Sequence, residues 1–309
     1  MKEKKRLCAT DILLLVFTLL PIVCGIVLKV LFTPASEEIK IAGALIYFTI
    51  DLPLGGLPIT ESQVNSWLVI LSVTFLCLFL TRNLTPDGKS RRQIVCEWIV
   101  EKTEELVQTN MGEFFSGFAP FIAAIMGLSA FSSLLTLFGL YPPTSDINVV
   151  AGWSFLVFIL ITYYKMKCGP VQYLKSFGEP VAFLTPLNII SEVATPVSMA
   201  FRHYGNILSG AVISVLVSAG LTGLSSLVLG WLPGALGNIP LLRVGLPAIL
   251  SVYFDVFSGL LQAFIFAMLT MLYVAGAFPA DVYAKRQKNK ASKKSNINEV
   301  KHSEVHENA

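Results

Sequence analysis

The stretch "PLNIISEVATPVSMAFRHYGNILSGAVISVLVSAGLTGLSSLVLG" (186–230) decides the fold class, because it stays largely apolar over far more residues than a soluble helix needs. One continuous helix of this length would rise about 65 Å, against about 30 Å for the hydrocarbon core of a bilayer. We therefore expect a membrane helix that is either strongly tilted or broken, with Pro196 as one place to bend. Arg202 lies inside this stretch, where a charge that cannot be neutralised is costly and usually functional.

The whole chain shares this apolar character. It has 309 residues, of which 54% are hydrophobic and 14% charged, whereas soluble domains average about 25% charged residues. This composition predicts an integral membrane protein. The formal net charge of +3 is too small to indicate a nucleic-acid partner. The five cysteines contain no CxxC pair and the three histidines form no cluster in the apolar stretches, so we expect no disulfide framework, metal site or other cofactor.

Six apolar stretches have a length that can span a bilayer, at residues 11–33, 65–82, 114–140, 149–165, 183–230 and 238–278. The first follows "MKEKKR", as in a signal peptide, but no A-x-A-like cleavage site comes after it, so we expect a retained helix. Segment 90–112 has apolar residues near one helical face and charges opposite, which predicts an amphipathic helix on the inner membrane surface. Its apolar residues are Ile94, Trp98, Ile99, Leu106 and Val107.

The distribution of lysine and arginine predicts the orientation of the chain. Basic clusters precede the first apolar stretch and follow the second, the fourth and the sixth, while the other connections are poor in them. Six spans put every cluster on one side of the membrane, so we expect both termini in the cytoplasm. Residues 34–64 then form an outer loop, and the polar residues 279–309 form a disordered cytoplasmic tail.

Polar side chains gather around Arg202 and on the last apolar stretch. Ser198 and Asn206 lie one turn before and one turn after Arg202, and Asp255 and Gln262 share one face of the last helix. Such residues can simply tie helices together, and Asp255 can be a structural counter-ion of the arginine. In the functional interpretation, the permanent positive charge blocks the leakage of cations and forces a carboxylate of a moving partner to release its proton.

Four motifs, in this order along the chain, resemble those of one family, the a subunit of F-type ATP synthases. The segment "PPTSDINVV" (142–150) resembles its P-[ST]-x-D-x-N motif, and "YYKMKCG" (163–169) resembles the basic loop that follows. The segment "FRHYGNILSG" (201–210) is similar to the R-L-[FY]-G-N signature, and "LLQAFIFAMLT" (260–270) to the signature of the last helix. The resemblance covers residues 58–278, so residues 1–57 are expected to add an N-terminal transmembrane helix and the outer loop.

The resemblance implies an all-α integral membrane protein with about six transmembrane helices and one amphipathic surface helix. The last two membrane helices are expected to be long and tilted, forming a hairpin against a ring of c subunits. The family's subunit is a non-catalytic part of the stator, with two ion half-channels that couple proton or sodium translocation to ring rotation and ATP synthesis. The implied partners are the c ring, the b subunits of the peripheral stalk, the rest of the complex and membrane lipid, in a bacterial-type cell membrane.

The motifs also imply roles for single residues. Arg202 matches the family's essential arginine, Gln262 the glutamine of the last helix, and Asn206 the asparagine of the G-N pair. Together with Ser198 and Asp255, these are the expected ion-translocation residues. Further candidates are His203, Glu192, Asp146 and Asn148.

The chain departs from the family pattern close to Arg202. Ala211 stands where many members have glutamate, and we expect Asp255 to supply the missing acid of the outer half-channel. His203 replaces the usual leucine and is either a pH-sensitive neighbour of Arg202 or a bystander that faces lipid or other helices. Two other classes of function are a secondary transporter and an intramembrane hydrolase. The lack of internal repeats argues against the first, and the lack of a Ser/His or paired-Asp arrangement against the second.

Overall fold

The computed structural model describes residues 9–32, 43–52, 55–85, 90–178, 182–229, 249–250 and 252–278. The predicted tail (279–309) and the first part of the sixth apolar stretch (238–248) lie outside these residues. The helices are α1 Ala9–Phe32, α2 Glu61–Thr81, α3 Arg91–Met111, α4 Ala119–Leu134, α5 Ile147–Cys168, α6 Pro170–Ser176, α7 Thr185–Leu229 and α8 Gly259–Gly276. Short 3₁₀ segments are Glu113–Phe118 before α4, Leu135–Phe138 after it, Pro143–Ser145 and Ala182–Leu184.

Among the residues that the structure describes, six helical segments are long and apolar enough to cross a membrane, as predicted. They are Ala9–Phe32, Glu61–Thr81, Glu113–Phe138, Ile147–Lys167, Thr185–Val228 and Val252–Gly276. Because a helix satisfies its backbone hydrogen bonds internally, these segments can cross the hydrocarbon region without exposing unpaired polar groups. The prediction of an all-α integral membrane protein is therefore confirmed.

The fifth of these segments forms one helix without a break. Helix α7 has 45 residues, with Pro196 inside it, and it rises about 67 Å at 1.5 Å per residue. The alternative of a broken helix is therefore wrong, and only a strong tilt or a projection beyond the bilayer accommodates this length. The sixth segment begins with a π-helical turn, Val252–Ser258, which hydropathy did not predict.

The predicted amphipathic helix forms as α3, but its apolar residues do not share one environment. Val107 is fully buried in the helical core, whereas Trp98 keeps 58% of its surface exposed. Ile94 and Ile99 are exposed as well. The C-terminal half of α3 is taken up by packing against other helices, so a single membrane-facing side does not describe it.

The connection between α1 and α2 contains a two-stranded antiparallel hairpin, which hydropathy did not predict. Strand β1 (Ile46–Leu52) pairs with β2 (Gly55–Thr60). The β-branched and aromatic residues of β1 favour this extended structure. The backbone N–H of Glu61 donates to the Leu45 carbonyl at 2.7 Å, so the base of the hairpin joins the first residue of α2.

Ion pairs hold α1 near both of its ends. Asp11 lies 3.2 Å from Arg92 and 3.8 Å from Arg82, which join α1 to the start of α3 and the end of α2. At the other end Lys29 lies 3.5 Å from Glu61, the first residue of α2. Helix α1 is thereby fixed against α2.

The main core lies between α3, α4, α5, α7 and α8. Among its most completely buried side chains are Val107, Ile122, Val157, Phe266 and Met271. Helices α7 and α8 both pack into this core, and the residues around Arg202 lie on these two helices.

Candidate functional site

Arg202 lies on an exposed face of α7, close to the middle of the helix. Ser198, one turn before it, is exposed on the same face. Other residues of this face are small: Ser191, Ala194, Gly205 and Ser209. Among the residues that the structure describes, Arg202 has no ion-pair partner. The alternative in which Asp255 is its structural counter-ion therefore finds no support.

A polar link joins α7 to the start of α8 one turn beyond Arg202. The amide Nδ2 of Asn206 donates to Ser258 Oγ at 2.9 Å and approaches Gln262 Oε1 at 3.5 Å. Gln262 is only 3% exposed. The predicted residues Asn206 and Gln262 are thus brought together one turn beyond Arg202, and Ser258 completes the link.

Just beyond this link, α7 packs closely against the π-helical turn that precedes α8. A Cβ built at Gly210 would lie 3.1 Å from the Cβ of Phe254, so the absence of a side chain at 210 allows this approach. The next residue on each helix is Ala211, which is exposed, and Asp255, which is partly buried. Positions 211 and 255 therefore flank the same helix contact, which fits the expectation that an acid at one can replace an acid at the other.

His203 is directed away from the Arg202 face. Its side chain is fully buried, and its Nε2 lies 3.3 Å from Ser129 Oγ on α4. The ring also packs against Trp153 of α5 and Phe266 of α8. Of the two surroundings expected for a bystander at this position, the structure has other helices and not lipid.

Glu192 lies on the wall of a cavity between α5, α6, α7 and α8. The cavity has a volume of about 370 Å³, and its polar lining includes Asn188, Ser191 and Thr195. Glu192 pairs with Lys165 at 2.7 Å and accepts a hydrogen bond from the Tyr173 hydroxyl at 3.3 Å. Partial burial, followed by the negative charge of Glu192, raises the pKa of Tyr173, so the phenol keeps its proton and remains a donor.

Asp146 and Asn148 lie at the opposite end of α5 from Lys165. Asp146 is the N-cap of α5 and accepts from the backbone N–H of Asn148 at 3.0 Å, a usual way to satisfy the first turn of a helix. It also accepts from Ser62 Oγ at 2.5 Å, which ties α5 to α2. Burial and the nearby charge of Asp146 raise the pKa of Tyr141. The contacts between Asp146 and Asn148 are therefore those of a residue that caps a helix.

The sequence profile described as the ATP synthase A chain matches residues 63–275 of this chain. The chain belongs to the ATP synthase A chain family. A relative named ATP synthase subunit a, from Legionella pneumophila, is 27% identical over 77% of this chain and 94% of its own length. The protein of the same name from Macrococcus caseolyticus is 33% identical over 68% and 88%. ATP synthase subunit a 1 of Crocosphaera subtropica is 30% identical over 69% and 84%.

Membership of the ATP synthase A chain family confirms the resemblance that the four motifs indicated. The matched region begins in α2, so α1 and the β-hairpin precede it. The match makes the chain a membrane subunit of an ATP synthase, in agreement with the six candidate spans found in the described part of the chain.

Several residues of this ATP synthase A chain region were not predicted as part of the site. Sequence reasoning assigned Lys165 only to a basic cluster, and Tyr173 and Thr195 to no site. The sequence did indicate that such residues exist: Glu192 is a carboxylate inside an apolar stretch, and such a group needs a cationic or hydrogen-bonding partner. That signal does not identify the partner, which comes from another helix.

Proposed function

We propose that this chain is the stator subunit of the membrane sector of a rotary F-type ATP synthase, with Arg202 facing the ion-binding carboxylates of a c-subunit ring. The observation that carries the proposal is the exposure of Arg202 on a face of α7 built from small residues, without an ion-pair partner in the described part of its own chain. A charge at bilayer depth requires compensation. A carboxylate on a moving partner supplies that compensation each time it passes.

The residue types around Arg202 suit this task. Small side chains such as Ser198, Gly205 and Ser209 let a partner helix approach closely within the membrane. Arginine stays protonated at any working pH, so it holds a passing carboxylate in the ionised form and prevents ions from crossing directly. The chain itself needs no catalytic group for this role, and ATP synthesis belongs to the whole complex.

The inner half-channel of the proposal starts at the cavity that contains Glu192. From this cavity Ser191, Thr195 and Ser198 lead along one side of α7 to Arg202. Their spacing of three or four residues keeps them near one helical face. The distance along the helix from Ser191 to Arg202 is about 16 Å at 1.5 Å per residue. Hydroxyl groups along this path can bind a file of water molecules that carries protons to the ring.

The outer half-channel of the proposal lies beyond the link between Asn206 and Ser258. Asp255 is the acid nearest to this link on the last span, one turn before Ser258, and it provides a titratable group. An acid at position 255, next to the helix contact between Gly210 and Phe254, can take over from the glutamate that many family members carry at position 211. The translocated ions, protons or sodium, enter past Asp255, and the buried amide of Gln262 separates this side from the inner route.

Substitution of Arg202 tests the proposal directly. Arg202→Ala is expected to abolish ATP-driven ion uptake by inverted vesicles, whereas ATP hydrolysis by the soluble head survives. Arg202→Lys is expected to fail as well, because lysine can deprotonate and lacks the planar guanidinium. The matched control is Arg91→Ala, which removes an exposed arginine at the start of α3. Full uptake by the Arg202→Ala complex refutes the proposal.

The proposal also includes the partners and the orientation of the chain. The c ring, the b subunits and the catalytic head should co-purify with it, and both termini should be cytoplasmic in a bacterial-type cell membrane. Single cysteines at positions 60 and 293, in a background without the five native cysteines, are expected to react with an impermeant maleimide from opposite faces. Reaction from the same face contradicts the six-span topology.

A further inference from the structure

His203 follows Arg202 directly in the chain but points to a different environment. Successive residues of a helix are separated by about 100° around its axis, so neighbours in sequence can face opposite surroundings. Arg202 is exposed, whereas the side chain of His203 is 0% exposed. A rotation of α7 that changes one of these environments therefore changes the other.

Three different helices surround the His203 ring. Its Nε2 lies 3.3 Å from Ser129 Oγ of α4. The Trp153 ring of α5 and the Phe266 ring of α8 both meet it edge-on, with centroids at 6.2 Å and 5.4 Å. Ser129 and Phe266 are themselves almost completely buried. The ring therefore occupies a closed site formed by α4, α5 and α8.

The hydrogen-bond pattern assigns a direction to the contact with Ser129. His203 Nδ1 has no hydrogen-bond partner in the described part of the chain. A neutral imidazole has one N–H donor and one acceptor nitrogen, and buried N–H groups without a partner are rarer in proteins than buried acceptors without one. The proton is thus assigned to Nε2, which donates to the Ser129 hydroxyl oxygen. This donor gives His203 a directional bond that the leucine usual at this position lacks.

We propose that His203 is a positioning residue that fixes the rotation of α7 and thereby directs Arg202 outward. The inference rests on the proposed function of Arg202. Asn206 and Gly210 hold the next turns of α7 against the last membrane segment, whereas His203 anchors α7 to a different helix, α4, through Ser129. The bond to Ser129 and the fit between two aromatic rings specify one orientation, whereas apolar packing alone tolerates several.

The first test measures the rotation without measuring transport. In the full chain without its native cysteines, a cysteine at Ser198 is expected to react with a maleimide much faster than one at Met199, which is 2% exposed. His203→Leu is expected to reduce this ratio severalfold, and His203→Gln, which keeps an N–H donor, to preserve most of it. Thr270→Ala is the matched control, because this buried hydroxyl bonds within its own helix, to the Phe266 carbonyl. An unchanged ratio in His203→Leu overturns the proposal.

The second test is a double-mutant cycle on ATP-driven ion uptake, normalised to assembled complex. Loss of one hydrogen bond is expected to slow uptake about fivefold in His203→Leu and equally in Ser129→Ala. The double variant is expected to be no slower than either single variant, because both remove the same bond. Effects that multiply to about 25-fold overturn the proposal and assign the two residues independent packing roles. If His203→Leu does not assemble, Ser129→Ala alone decides, since it removes the bond and keeps the ring.

The outcomes separate this inference from the proposed function. A changed cysteine ratio, together with normal uptake by Arg202→Ala, supports the positioning role of His203 and refutes the role of Arg202. Loss of uptake in Arg202→Ala, together with an unchanged ratio in His203→Leu, refutes only the positioning role.

Discussion

Replacing Gly259 with alanine should disrupt the packing between α4 and α8, because Gly259 lies directly against Ser133. A Cβ built at position 259 would lie 2.5 Å from the Cβ and 2.6 Å from the Oγ of Ser133. Real Cβ atoms essentially never approach other atoms within 3.0 Å, and ordinary contacts lie at 3.4–4 Å. The added methyl group therefore demands about 1 Å of movement in a close-packed region, and overpacking of this kind costs about 1–3 kcal/mol.

The same displacement reaches the candidate site. Ser258 precedes Gly259 directly and Gln262 lies on the next turn, so a movement of α8 carries both away from Asn206. The bond from Asn206 to Ser258 is 2.9 Å long, and a shift of about 1 Å is enough to break it. We therefore expect Gly259→Ala to lower both the thermal midpoint of the assembled complex and its ATP-driven ion uptake.

Three further variants show whether the contact with Ser133 is the cause. Gly127→Ala on α4 is the control, because a Cβ there meets no atom within 4 Å. Alanine is the better helix former by about 1 kcal/mol, so this control should be neutral or stabilising. Ser133→Gly removes both clashing atoms and is expected to rescue Gly259→Ala, whereas Ser133→Ala leaves the Cβ in place and is not. Normal stability and uptake in Gly259→Ala, or equal rescue by both Ser133 variants, refutes the reasoning.

Other predictions concern the titratable groups. Asp255→Asn should slow ATP-driven uptake sharply and change its pH dependence, and Ala211→Glu combined with Asp255→Gly should restore part of the rate; normal assembly with unimpaired uptake in Asp255→Asn contradicts this. Glu192→Gln should slow uptake severalfold, whereas Glu105→Gln, in an exposed pair, should leave it unchanged. The raised pKa of Tyr141 means that its neutral form stabilises the folded chain at neutral pH and that this contribution disappears as pH rises above the ordinary value of 10.0. Tyr141→Phe should accordingly weaken the fall in thermal midpoint at alkaline pH, and an unchanged alkaline profile counts against this assignment.

The membrane spans could be predicted from the sequence because hydropathy and bilayer thickness act locally. Runs of apolar residues around positions 11–33 and 65–82 correspond to α1 and α2 to within a few residues. The β-hairpin was missed because its short alternating strands gain stability from each other and from the join to Glu61, and neither interaction is visible in a hydropathy profile. The break considered at Pro196 does not occur; within a membrane, neighbouring helices and small local adjustments can satisfy the backbone groups that a proline leaves without a helical hydrogen bond.

The candidate site was predictable in part. Arg202, Asn206 and Gln262 could be selected because a charge and two amides inside apolar helices are costly and therefore informative. The hydrogen bond from Asn206 to Ser258 could not be predicted, because it depends on the register between two helices. The two residues are 52 positions apart in the chain. The cavity around Glu192 could not be predicted either, because the lysine that pairs with Glu192 belongs to the preceding membrane helix.

The sequence by itself determined that this protein crosses the membrane as helices and belongs to the ATP synthase A chain family. Only the tertiary structure decided that Arg202 faces outward while His203 is buried against α4, α5 and α8. The period of a helix fixes the angle between two of its own side chains, but which of them meets a neighbouring helix depends on contacts with residues far away in the chain.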